Sequence, residues 1–323
     1  MLGIVVLLLW AHAGSSAGAQ GVVPKRLLFV VGRAFGKDFS GPSGVWYDAK
    51  HGEIYVADTG NHRLVVLDDR GMPKAELMRT VERAGSTKPI AGEPSRIAVN
   101  SGGDMFVVDV LADYVDMCDY RGRSLRQISL RDFAEAAKRV GAPANEPVSP
   151  LDLKATAVTV DSKDNIYIAC RARIYVFSPT FKLLRAIGAK GSEPGQFTAI
   201  TSLWVDAAGL IYVTDARALA VHVLAADGTV LVAFGQHDSG VTNFGLPIGI
   251  TTDLRGNIWV ADTLRHIVSV FRRTGNKVEY LDYIGTLGTR GGEFAYPSGL
   301  TASSTGRMLV VDRVGCRVQC FEM

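Results

Sequence analysis

The side chains whose types and spacing could do chemistry are carboxylates and guanidiniums that recur in step. Asp58, Asp109, Asp215, Asp262 and Asp312 each end an apolar run of the type Ile-Tyr-Val-Ala-Asp. Five of the six loops after such runs carry arginine: Arg63, Arg171 with Arg173, Arg217, Arg265 and Arg313. A ring of aspartates suggests metal binding or acid/base work. Their place just ahead of a tight polar loop argues instead for fixing the turn, the carboxylate accepting hydrogen bonds from backbone amides two residues on. A residue repeated along an array does the same local work in each unit. The arginines, if free, form a basic annulus suited to carboxylate, phosphate or sulfate, because a guanidinium grips such anions through paired hydrogen bonds. If each pairs with the aspartate of its own repeat, no annulus exists. The sequence leaves both readings open.

Other chemistry is hard to assemble. His62, His266 and Cys316 hold equivalent positions in three repeats, which invites zinc. Zinc needs its ligand atoms within about 2.0 to 2.3 Å, whereas equivalent points on neighbouring packed sheets lie on the order of 10 Å apart. His51, His222 and His237 show no ligand spacing. Outside residues 1–19 no Gly-x-Ser-x-Gly occurs, and no phosphate-binding loop, His-Glu-x-x-His or Cys-x-x-Cys-His occurs anywhere; each of those patterns is a minimum geometry for its chemistry. No catalytic residue, metal or cofactor is therefore assigned.

The elements that position these residues follow from a repeated sentence. An apolar alternating run, a Gly or Asn turn, a second run, a polar loop and a third run recur six times. The second runs are Ile54 to Asp58, Met105 to Asp109, Ile166 to Cys170, Ile211 to Asp215, Ile258 to Asp262 and Met308 to Asp312. Their spacings of 51, 61, 45, 47 and 50 residues are those of propeller blades. A fourth run ending in Gly follows, as in Leu183 to Gly188, Val230 to Gly235 and Tyr280 to Gly285, and four short strands make one blade. The sixth copy stops one strand short at Met323, while Leu27 to Gly32 near the start has the missing pattern. The fold expected is all-β, a six-bladed β-propeller with four-stranded blades whose N-terminal strand closes the last blade, so that no sheet edge is left open. A closed ring of this kind is expected to be a monomer. Residues 131–150 form an insertion between blades two and three, with a short amphipathic helix over Arg131 to Val140 and a Pro-rich tail.

Residues 1–19 have an apolar stretch from Leu2 to Trp10, then small residues, with no charged side chain. This reads as a signal peptide ahead of a single propeller domain over 20–323, hence an exported chain, periplasmic or extracellular. The apolar stretch is about half of what a membrane-spanning helix needs. A formal charge of +3, from 35 basic and 32 acidic residues, is too small to imply nucleic acid. Of four cysteines, Cys118, Cys170, Cys316 and Cys320, the last two lie in one strand about 13 Å apart, beyond bridging range.

The segment Ile54-Tyr55-Val56-Ala57-Asp58-Thr59-Gly60-Asn61-His62-Arg63-Leu64 resembles the NHL repeat, as does Ile258 to His266, and Pro42-Ser43-Gly44, Pro247-Ile248-Gly249 and Pro297-Ser298-Gly299 match that family's Pro-x-Gly lead into the first strand. The resemblance runs from about residue 27 onward, with blades two and three departing most. It implies a binding module for protein or nucleic acid. A minority of similar six-bladed folds are enzymes, such as the amidating lyase of peptide-hormone maturation and the calcium-dependent lactonases. Those draw metal ligands from the innermost strand lead-ins, which here hold no histidine and, beyond Glu93, hardly a carboxylate. The expectation is an exported non-catalytic scaffold that engages a protein or an anionic polymer through its loop face. Nucleic acid is an unfavoured partner for an exported chain, and a metal-dependent lyase or hydrolase is the alternative.

Overall fold

Alternating and near-continuous apolar runs give strands, and the computed structural model arranges them as six four-stranded antiparallel sheets. It describes residues 26–82, 86–143, 149–235, 240 and 242–323. The expected signal peptide lies outside these residues, as does His237. Among the described residues no helix is long and apolar enough to cross a membrane.

Blade one shows why each strand sits where it does. The second and third strands, Glu53–Asp58 and Arg63–Asp68, are buried along almost their whole length, because neighbouring blades cover both faces of the sheet, and their sequences are apolar on both faces accordingly. The outermost strand, Pro73–Met78, alternates between exposed and half-buried residues, as a rim strand must. Six apolar clusters fill the wedges between adjacent blades. The ring closes where Arg26–Val31 pairs antiparallel with Arg317–Glu322, Leu27 opposite Phe321 and Val31 opposite Val318. That strand feeds two wedges at once, Leu27 on one side and Val31 with Phe29 on the other.

Aspartates at the far end of the innermost strands behave as the sequence rule for turns expects. Asp48, Asp161, Asp206 and Asp253 accept the amides of Lys50, Lys163, Ala208 and Arg255, two residues on, at 2.9 Å. Near that end the channel is crossed by Trp46 and Trp204, from opposite blades, with ring centroids 5.8 Å apart. The Trp204 indole N–H donates to Thr252 Oγ1 at 2.8 Å.

The insertion differs from expectation. The helix foreseen over Arg131 to Val140 is a 3-10 turn, Leu130–Phe133, running into one α-turn, Ala134–Ala137. The insertion packs into the body of the disc: Leu130, Ala137 and Ala142 are buried in the wedge between blades two and three, and Phe133 meets Phe177 edge-on at 4.8 Å. The apolar wedge halts a longer helix. Gly141, at φ +120°, turns the chain where a Cβ would stand 2.6 Å from the Ala186 carbonyl.

The cysteines are unpaired. Burial pushes the Cys118 and Cys320 thiols up to about 12 and Cys170 to about 11, so these three are poor nucleophiles and poor partners for oxidation.

His222 lies buried in the third strand of blade four, edge-on to Phe197, with neither ring nitrogen hydrogen-bonded among the described residues. Burial pushes its pKa below the usual 6.5, only partly opposed by Asp215. Such a base is neutral when folded and takes up a proton on unfolding. Its contribution to stability is therefore complete above about pH 6.5 and is lost as the pH falls below it, by up to about 1.4 kcal/mol per pH unit. Thermal melts between pH 7 and 5 should show a decline that is shallower in His222→Phe. Parallel curves would mean that His222 does not titrate in this range.

Candidate functional site on the loop face

The repeat aspartates sit at the inner end of the loop face and are fully or nearly buried. Asp215 accepts the amides of Thr198, Ala199, Arg217 and Ala218 and the Thr198 hydroxyl. Asp262 accepts from Gly245 and Leu246, Asp312 from Ala295, and Asp58 from Ser40. They fix structure as expected, but their principal partners stand 16 to 18 residues upstream and not only two residues on. Each staples the segment that enters a blade to the turn between its second and third strands. Asp109 holds the Leu111 amide at 2.8 Å with one oxygen, while its other oxygen has no partner among the described residues. Blade three has Cys170 instead, its thiol 3.4 Å from the Arg173 carbonyl.

His62, His266 and Cys316 fall at one structural position, with φ of 59°, 58° and 52°, and Leu219 shares it at 51°. They are the left-handed residues that end this turn. Histidine tolerates that conformation better than most side chains. His62 Nδ1 lies 2.8 Å from the Gly92 carbonyl and His266 Nδ1 accepts the Tyr296 amide at 3.2 Å. Among the described residues no three His, Cys, Asp or Glu side chains gather where they could hold a metal ion.

The candidate arginines divide into three groups. Arg63 is 1% exposed and bonds both Asp58 and Glu76 at 2.6 Å. Arg173 is buried and donates to the Gly188 carbonyl at 3.2 Å. Arg265 lies 3.6 Å from Asp262 and donates to the Asn243 carbonyl, and Arg171 lies 3.5 Å from Asp152. Arg217 and Arg313 are exposed, with no carboxylate partner among the described residues. Blade six pairs through Arg317, not Arg313: Arg317 Nε donates to Asp312 at 2.8 Å. The rule is positional. Arg63 and Arg317 each stand five residues beyond their aspartate, at the start of the third strand, where the side chain lies back over the turn.

Of the six candidate arginines, then, Arg217 and Arg313 are left without a carboxylate partner among the described residues, and equivalent loops add the exposed apolar side chains of Val110, Leu264 and Val314, with Tyr296 beside them. A cleft of about 750 Å³ opens beside the insertion, lined by Glu82, Lys88, Val110, Tyr114, Arg131 and Lys154 among others. At the centre, hydroxyls form a collar. Thr59 donates to the Pro94 carbonyl, Thr201 to Pro247, Thr263 to Pro297 and Ser298 to Ser43, so each ties one blade to the lead-in of the next.

One residue in that collar escaped sequence reasoning. Where the other innermost strands carry Gly44, Ala157, Ser202, Gly249 and Gly299, blade two carries Arg96. Laying the six lead-ins over one another would have shown an arginine alone among small residues.

Comparison with known proteins agrees with this architecture. Residues 39–67 match the NHL repeat. The chain is similar to E3 ubiquitin-protein ligase TRIM32 of Homo sapiens, 27% identical over 149 residues, 43% of this chain and 21% of the ligase. It is also similar to NHL repeat-containing protein 3 of Homo sapiens, 29% identical over 141 residues, 42% of this chain and 39% of that protein. The matches therefore span well under half of either relative. Among solved structures, a streptogramin B lyase aligns with TM-score 0.58 at 13% identity, over 91% of this chain and 87% of its own. Virginiamycin B lyase from Staphylococcus aureus aligns at 0.57 and 11%, over 88% and 82%. At such identities the likeness is one of fold alone. The chain is a six-bladed β-propeller in which one segment, residues 39–67, matches the NHL repeat.

Proposed function

We propose that this propeller is an exported, non-catalytic scaffold whose loop face holds a partner protein. The observation that carries this reading is the makeup of that face, where exposed Arg217 and Arg313 alternate with exposed Leu264, Tyr296 and Val314. Arginine and aromatic side chains set among apolar ones are the composition of protein contact patches. An anionic polymer would call for a denser run of free loop arginines than the two of the six candidates that remain once Arg63, Arg171, Arg173 and Arg265 are committed elsewhere.

The test is recovery of partner from a native envelope fraction with immobilised protein. The double variant Arg217→Glu/Leu264→Asp should cut recovery at least tenfold while its melting temperature stays within a few degrees, since both positions are exposed. Undiminished recovery would move the binding surface to the opposite face. A tightly held metal with turnover of an ester, lactone or hydroxyglycine peptide would replace the scaffold reading with the lyase or hydrolase one.

A further inference from the structure

Arg96 stands in the axial channel as a cation without a counter-ion among the described residues. Its Nη1 donates to the carbonyls of Ser43 at 3.1 Å and Ser95 at 2.9 Å, and its Nη2 to that of Thr201 at 3.4 Å. Those acceptors belong to blades one, two and four. They are neutral dipoles, and among the described residues no carboxylate bonds the guanidinium. Arg313, directly after Asp312, holds in blade six the position that Thr59 and Thr263 hold at the collar in blades one and five, and it bears on Arg96 with the same sign. Burial, and after it Arg313, lowers the Arg96 pKa to about 10. A half-buried guanidinium without an anion is costly, and proteins ordinarily neutralise one. Blade two spends that cost at a position where the other five use glycine, alanine or serine.

We propose that the axial mouth of the loop face is an oxyanion subsite, in which Arg96 from below and Arg313 from the rim hold a single carboxylate or phosphate-type group inside the hydroxyl collar. The channel below Arg96 offers about 30 Å³, bounded by Gly44, Ser202, Gly299 and the Trp46–Trp204 pair among others. That holds water but no larger group, so the ligand seats on Arg96 and does not thread past it. Two arginines supply the forked donors that planar or tetrahedral oxyanions accept. The subsite shares Arg313 with the protein-docking face but needs neither Arg217 nor Leu264, so the variants at those two positions separate the two readings.

Isothermal titration of the folded protein with inorganic phosphate, and separately with acetate, at matched ionic strength in chloride tests it. Saturable one-site binding of either anion is expected; the anion that binds better says whether a free phosphate-type group or a carboxylate is the natural ligand. Arg96→Gly, which installs the residue of blades one, five and six, should weaken that binding at least tenfold. Arg313→Gln, at an exposed position, should weaken it several-fold with an unchanged melting temperature, which keeps the test valid if Arg96→Gly folds poorly. Arg217→Glu should bind the anion as the parent does. Absence of saturable binding by both anions, or equal binding by the parent and both channel variants, would overturn the proposal.

Discussion

Arg63→Ala is expected to cost about 3–5 kcal/mol of folding stability, the usual penalty for removing one partner of a buried ion pair. The substitution strands Asp58, which is wholly buried and shares its Oδ2 between Arg63 at 2.6 Å and the Asn61 amide at 2.8 Å. It also releases Glu76 and the carbonyls of Ala34 and Lys37, which the guanidinium reaches at 3.4 and 3.3 Å. Arg217→Ala and Arg313→Ala, by contrast, should each stay within about 0.5 kcal/mol of the parent. Urea unfolding of the three variants measures the contrast. A loss below about 1 kcal/mol for Arg63→Ala would mean that the pair is not formed in solution.

Deleting residues 26–31 should have the larger effect still. Leu27, Leu28, Phe29 and Val31 pack into the wedges on either side of blade six, at about 1 to 3 kcal/mol each, a sum that rivals the whole stability of an ordinary domain. The deletion also leaves Arg317–Glu322, the strand they pair with, as an open edge, which recruits strands from other molecules. Scattering and sizing should show loss of the cooperative melt together with self-association. An unchanged melt would mean that the ring does not rely on this strand.

The architecture was legible because a blade is a local unit: its alternation, Gly turns and terminal aspartate all lie within some fifty residues. What escaped the sequence came from longer reach. The amides that satisfy Asp58, Asp215 and Asp262 arrive from a preceding loop brought close only by the fold. Loop membership placed Arg313 among the candidates and passed over Arg317, because the deciding quantity is the direction of a side chain at the start of a strand and not its distance from a motif. Arg96 was read only as part of a lead-in lacking metal ligands. Its meaning lies across the axis, in carbonyls of blades that are 53 and 105 residues away. The inserted helix was shortened by Phe133 and Ala137, whose burial against blade three no amphipathic pattern could foresee.

The two indoles that meet across the axis carry a consequence for how the disc can be used. With Trp46 and Trp204 nearly in contact and an arginine lodged above them, the hub is a bulkhead and not a conduit. Whatever settles on one side has no passage to the other, so the two sides of the wheel can answer to different molecules without either one competing for the same space.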